Sequence, residues 1–528
     1  MNISPTDIND YSFDNYLEWR DKVNYYTDDL YLQKVIQHFT GDMFFIVDQA
    51  AREMSENVSY RWRDMANTIA YPENRPYMTH YDGHNHRIDR IVRPRETFEM
   101  EKEIFGEALF SQHTHPWVKF VKLLLIYENG EACIACPLTC TEGLIALLDI
   151  FADTPELQQI QRHLKEGINN DFAIGAQFIS EIQGGSDIPS NLVEARLDNG
   201  VWRLFGDKFF CSASHADYTV VTARTHQSEK LGLFVVPSWM PENKEKEIRN
   251  NYVINRLKYK MGTVELPTAE ITYNGAVAYP VGPLDRGVAN VVGIVLTCSR
   301  LTVGLSGAAS MLRVLREVKA YSEFRDAFGM KLSQFPLVAG QIQQIETYAH
   351  RTLCGAFKVY KTFLDAGSPL IGGIQSKGDI NLRQKQFLLR ELILFQKITT
   401  ALDAPDVIRL GMSILGGHGV MEDFSVLPRL YRDAAVNELW EGPRNVLLTQ
   451  IHRDFQRVLE WYPSDLFIAD MLEGASSETI KSFQDEMQHF MSVPHLFEMN
   501  DKTIQLCLNW DHFCQRLFHE YQHISKKM

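Results

Sequence analysis

SEIQGGSDIPSNLVEARLDNGVWRLFGDKFFCSAS, residues 180 to 214, is where the pattern of this chain changes. Within it, VEARLDNGVWRLFGDKFF (193–210) alternates apolar and polar side chains around Asn199-Gly200. That dipeptide supplies the positive φ of a tight turn, so the segment predicts a β-hairpin. Ahead of the hairpin, Gly184 and Gly185 let backbone approach a ligand closely. The Ser180 and Ser186 hydroxyls can donate or accept at the edge of a flat polar ring. A plain Gly-Ser-Asp turn is the alternative. At the end of the hairpin, Phe209 and Phe210 stand beside Ser212, as a ring-facing group or as the end of a core strand.

Helical periodicity governs the chain on the N-terminal side. YLQKVIQHFTGDMFFIVDQAAREM (31–54) repeats apolar residues at three and four. The polar stretch AYPENRPYMTHYDGHNHRIDRIVRPRE (70–96) interrupts that pattern and reads as a surface loop. Beyond the hairpin, YTVVTART (218–225), LGLFVVP (231–237) and TAEITYNG (268–275) predict further strands. From residue 287 a proline-free stretch predicts one helix ending at Gly329, followed by more helices. The expected division is a helical domain over 1–172, a β domain over 173–285, a helical bundle over 286–460 and a helical extension over 461–528. The fold class is α+β.

Composition restricts the function classes. A chain of 528 residues is expected to hold more than one core. Its formal net charge of −14 opposes general binding to nucleic acid, which needs a basic surface to neutralise phosphates. The eight cysteines form no secreted-type framework, the opening residues show no signal pattern, and no uninterrupted apolar run reaches membrane-spanning length. A soluble, cytoplasmic protein is expected, without membrane contact.

Two groups resemble metal sites and are read otherwise. Cys133, Cys136 and Cys140 lack a fourth nearby cysteine, and the TEGLIALLDIF that follows suggests packing thiols on a buried helix. His80, His84 and His86 lie in a polar loop without partner acids at helical spacing. No metal is expected.

SILGGHGV (413–420) reads as a helix end running into a glycine turn, where backbone N–H groups could hold a phosphate. It lacks the preceding strand and following helix of a dinucleotide fingerprint, so no nicotinamide site is assigned. In VNELWEGPRN (436–445), Glu441 is either a solvated loop acid or a general base on a tight turn.

Taken in order, S-E-x-x-G-G-S-D, K-F-F-x-S, R-D-A-F-G, L-G-G-H-G and W-E-G resemble the acyl-CoA dehydrogenase superfamily. QGGSD, FPLV (335–338), LPRLYRD (427–433) and WEGPRN (440–445) are most similar to its AidB-like branch, the adaptive-response, isovaleryl-CoA dehydrogenase-like one. The resemblance implies an N-terminal helical domain, a middle antiparallel β domain and a C-terminal helical bundle, here with an added helical tail. It also implies FAD held between the β domain and the C-terminal helices. By motif, Ile179, Ser180 and Ser186 would meet the flavin's pyrimidine edge and pyrophosphate side, and Phe210 and Ser212 would flank the isoalloxazine. Arg325 and Phe328, with Gly416 and Gly417, would reach a neighbouring subunit's FAD; Asn445 would make a polar cofactor contact, and Glu441 would be the catalytic base. The chain departs from the common pattern at Ile182, Pro336, Ser413 and Pro443. The implied activity is α,β-dehydrogenation of an acyl-CoA or acyl-carrier thioester by a homotetramer, with electrons passed to an electron-transfer flavoprotein. The alternative is a DNA-associated flavoprotein, against which stand 7 Lys and Arg facing 12 Asp and Glu from Val446 to Met528.

Overall fold

The computed structural model describes residues 11–527 apart from 170, 227, 242 and 368–377. Helices build the N-terminal part: α1 (Asp14–Lys22), α2 (Leu30–Thr40), α3 (Phe44–Glu56) and α4 (Trp62–Ala70). The polar stretch then forms not a loop but a hairpin of β1 (Tyr77–Tyr81) and β2 (Arg87–Val92). Its turn uses Asp82, whose carboxylate accepts the His84 and His86 backbone N–H groups, an Asx device that replaces the usual Asn-Gly signal. Helices α5 (Arg95–Phe105), α6 (Pro116–Tyr127), α7 (Ala135–Phe151) and α8 (Pro155–Glu166) follow.

Seven strands make the middle sheet: β3 (Gly175–Phe178), β4 (Glu194–Asp198), β5 (Val201–Ser212), β6 (Tyr218–Thr225), β7 (Ser228–Pro237), β8 (Tyr252–Leu257) and β9 (Thr268–Pro280). Asn199 (φ 48°) and Gly200 (φ 83°) form the expected turn between β4 and β5. The path β6–β4–β5–β9–β7 closes through a β6–β7 pairing, so the sheet curls into a small barrel. Antiparallel order holds except where β3 and β4 each pair with β6 in parallel, because neither reaches β6 by a direct hairpin. The β1–β2 hairpin docks on the barrel through Asp89, whose Oδ2 accepts the Ile254 N–H at 2.9 Å.

The long helix differs from the expectation. It comprises α9 (Gly287–Asn290), a π turn (Val291–Val295) and α10 (Leu296–Phe324), and it ends before Arg325. Phe328 (φ 50°) and Gly329 (φ 83°) instead turn a two-residue hairpin between β10 (Asp326–Ala327) and β11 (Met330–Lys331). Two successive positive φ values match a type I′ turn, which breaks the helix five residues early. The stretch Gly287–Phe324 is long and apolar enough to cross a membrane, yet 78% of its most apolar window is buried within the protein.

The remaining helices are α11 (Pro336–Ala366), α12 (Ile380–Leu415), α13 (Leu427–Asn437), α14 (Arg444–Val458), α15 (Ser464–Met471), α16 (Ser477–Met491) and α17 (Asp501–Ser525). Helices α10 and α12 pack backbone to side chain: a Cβ on Gly304 would lie 2.0 Å from the Gln396 amide nitrogen. The C-terminal extension is no loose appendix. Trp510, Phe513 and Leu517 of α17 are buried in the main core, and Asp403 on α12 pairs with His519 at 2.7 Å.

Candidate active site

A cavity of about 780 Å³ opens between the barrel and the C-terminal helices. Ile179, Ser180 and Ser186 line it from the loop after β3, and Phe210 and Ser212 from β5. Glu441 enters from the turn between α13 and α14. These six residues, far apart in sequence, therefore share one space.

The loop carrying Ser180 and Ser186 is anchored from below. Glu181 is buried against Lys208, with Nζ to Oε1 at 2.7 Å, and it accepts the backbone N–H groups of Leu192 and Val193. Lys208 also donates to the Ile179 carbonyl and the Thr222 hydroxyl. With the ion pair satisfied beneath it, the loop buries Gly184 and turns Gly185 outward. A Cβ on Gly185 would meet nothing within 4 Å, which leaves backbone accessible from the cavity.

The turn carrying Glu441 is held in an unusual conformation. Glu441 has φ +60° and Gly442 φ +98°. A left-handed conformation costs a non-glycine residue about 1–2 kcal/mol, so the surroundings must enforce it. Two buried cations do so. Arg300 on α10 donates Nε to the Glu441 carbonyl at 2.9 Å, and Lys397 on α12 donates to the Glu438 and Gly442 carbonyls, both at 2.7 Å. Arg444, at the start of α14, ties the far side of the turn to Asp511 of α17 at 2.8 Å.

Charge at the turn follows from this enclosure. Burial raises the Glu441 carboxyl to about 7, against the opposing pull of the Arg300 and Lys397 charges and of a hydrogen bond from Gln177. Burial likewise lowers Lys397 to about 7, helped by the neighbouring Arg300, and brings Arg300 down to about 10. Glu131, Lys260 and Asp433 line the same cavity. Burial and then the Asp433 charge raise Glu131, while burial lowers Lys260. Gln177, Arg300, Lys397, Glu131 and Lys260 carry no motif in the sequence, whereas Asp433 closes LPRLYRD (427–433).

Arg325, Gly416 and Gly417 meet in a second cavity of about 470 Å³ with Tyr321 and His418. Phe328 joins neither cavity: the early end of α10 puts it at the tip of the hairpin, 98% exposed. Asn445 is also outside both. It is exposed in the first turn of α14, where its Oδ1 accepts the Val446 N–H.

The cysteines behave as packing groups, although Cys136 and Cys140 line the main cavity with sulfurs 3.8 Å apart. Glu101, Cys133 and His215 also converge, but Arg93 donates to both Glu101 and Cys133 and occupies the place a cation would take. His80 sits on β1 and pairs with Asp89 at 2.7 Å, apart from His84 and His86 in the turn.

The donor set fits the flavin that the resemblance implies. A flat ring needs hydroxyls and open backbone on an apolar wall, and the cavity offers Ser180, Ser186 and Ser212 beside Ile179 and Phe210. Among the described residues, the Ser180 and Ser186 hydroxyls have no protein partner.

Comparison with known proteins agrees with this geometry. Residues 176–276 match the acyl-CoA dehydrogenase middle domain, and residues 285–455 match the acyl-CoA dehydrogenase C-terminal domain. The chain is 26% identical over 400 residues to acyl-CoA dehydrogenase family member 11 of Caenorhabditis elegans, across 72% of this chain and 62% of that protein. It is also 26% identical over 401 residues to the putative acyl-CoA dehydrogenase AidB of Escherichia coli, across 72% of this chain and 69% of that one. The solved structure of Caenorhabditis elegans ACDH-11 in complex with C11-CoA shares the fold, with a TM-score of 0.80, 20% identity and coverage of 96% of this chain and 91% of that one. The two matched domains meet at the cavity that gathers the serines and the Glu441 turn, and the chain belongs to the acyl-CoA dehydrogenase superfamily.

Proposed function

We propose that this protein is an FAD-dependent acyl-CoA dehydrogenase in which Glu441 removes the α-proton of an acyl thioester. The observation that carries the reading is Glu441 itself, a carboxyl raised to about 7 and held in the cavity by an enforced turn. A general base works best when its pKa lies near the operating pH. Among the described residues, the Glu441 backbone N–H has no protein acceptor. It is available to the thioester carbonyl, where one such donor is worth about 3 kcal/mol to developing negative charge. When bound, FAD supplies the acceptor for the β-hydride. Ser180, Ser186, Ile179, Phe210 and Ser212 would hold it against the barrel. Trp440 lines the same wall as Glu441 and helps exclude water.

Arg325, Gly416 and Gly417 would contact a partner subunit's cofactor within a homotetramer. An electron-transfer flavoprotein is the proposed acceptor. Eight unbridged cysteines support a reducing compartment, the cytoplasm.

Anaerobic mixing with a panel of acyl-CoAs tests the reading directly: the flavin absorbance should bleach with at least one. The bleaching rate should rise with pH through about 7 and level off above it, because only the ionised base accepts a proton. One pH unit below the midpoint the rate should be about tenfold under its plateau. A rate that falls as pH rises would assign the step to a protonated group.

Charge separates this reading from the DNA-associated one. With a net charge of −14, duplex DNA should bind no more tightly than about 10⁻⁵ M at physiological salt. Sub-micromolar, salt-sensitive anisotropy changes would favour the alternative.

A further inference from the structure

Gln177 is a polar residue on a buried strand with no place in the scheme above. β3 reads Gly-Ala-Gln-Phe, and its Gly175, Ala176 and Phe178 are buried. The Gln177 amide nitrogen donates to Glu441 Oε1 at 2.8 Å and to the Ser299 hydroxyl of α10 at 3.3 Å, so it bridges the barrel and the helical bundle. Its amide oxygen is buried without a hydrogen-bond partner. An orphaned acceptor is costly, and such a group calls for an explanation.

The cations of the turn make no hydrogen bond to the carboxylate. Arg300 binds the Glu441 backbone carbonyl, and Lys397 binds the carbonyls of Glu438 and Gly442. Both charges favour ionised Glu441 from α10 and α12, while Glu438 and Arg444 act on Lys397 beyond them. Among the described residues, Gln177 is the only side chain hydrogen-bonded to the Glu441 carboxylate.

We infer that Gln177 is a positioning residue that partners Glu441 in both of its protonation states; this rests on the reading of Glu441 as the base. Before proton transfer, the amide N–H holds the carboxylate towards the cavity. In the transfer, the substrate's α C–H bond breaks, its electron pair stays with the substrate, and the proton forms an O–H bond on Glu441. The new acid keeps an acceptor oxygen and gains one O–H, which needs an acceptor of its own. A half-turn of the amide about its last side-chain bond presents the unpartnered oxygen to that O–H, an exchange an amide can make because it carries both functions. The orphaned oxygen in the resting state is the acceptor for the next one.

The test is Gln177→Met, close in size and unable to hydrogen-bond to the acid. Two measurements on the flavin-loaded protein are needed. Infrared titration follows the Glu441 carboxyl band, assigned by its loss in Glu441→Gln, and anaerobic stopped-flow follows reduction by an acyl-CoA across pH. The Glu441 midpoint should rise by about one pH unit, because the charge-assisted bond to the carboxylate is worth more than the neutral bond to the acid. At neutral pH kcat should fall about fivefold for the same reason, with KM within about twofold. Gln177→Glu, which sets a second acid beside the first, should raise the midpoint further and decides the matter if the methionine variant does not fold. A folded variant with an unmoved infrared midpoint overturns the inference. If Glu441→Gln still bleaches its flavin, the base assignment fails separately, while the infrared midpoint still reports whether Gln177 bonds to Glu441.

Discussion

Glu441→Gln is expected to lower the rate of flavin reduction by at least about 10²-fold, the lower range for loss of a general base. The protein should stay folded and keep its flavin. The amide matches the carboxylate in size, the turn is held through backbone carbonyls by Arg300 and Lys397, and the Glu441 N–H is untouched. Other acids near the turn are poorly placed. Glu422 is exposed and paired with Arg432, Asp423 is exposed, Glu181 is buried against Lys208, and Glu438 does not line the cavity. Glu131 and Asp433 are the competitors, since both line the same cavity and burial raises their carboxyls as well. Stopped-flow with a substrate that bleaches the wild-type flavin decides between them. Bleaching near the wild-type rate in Glu441→Gln would shift the role to Glu131 or Asp433.

Lys208→Met is expected to destabilise the protein by about 3–5 kcal/mol, the cost of leaving a buried charge without its partner. Lys208 and Glu181 are both buried, and the lysine also satisfies the Ile179 carbonyl. The loss should extend to function, because Glu181 fixes the loop that presents Ser186 to the cavity by accepting from Leu192 and Val193. Denaturant unfolding measures the first effect and flavin retention in the folded fraction the second. The double variant Lys208→Met/Glu181→Gln should recover much of the stability, since the amide carries no charge to strand. Equal stability of wild type and single variant would show that the pair contributes little to the loop.

The order of elements and the two local signals of the site were legible in the chain alone. Alternation around Asn199-Gly200 defined the β4–β5 hairpin because a two-residue turn and the side-chain period are local properties. The Gly-Gly-Ser loop and the W-E-G turn stood out because glycine marks backbone that side chains would block. Where signals are local but unusual, residue preferences point to the wrong element. The β1–β2 hairpin turns on an Asp side chain instead of Asn-Gly, and the strained Phe328-Gly329 turn ends α10 where residue preferences alone would continue it. Tertiary structure decided what is chemical about the site. The raised Glu441 carboxyl, the cations Arg300 and Lys397, and the Gln177 amide belong to elements more than forty residues from one another or from the turn. Burial and hydrogen bonding between such elements exist only after folding, and they turn an ordinary loop glutamate into a carboxyl that titrates near neutrality.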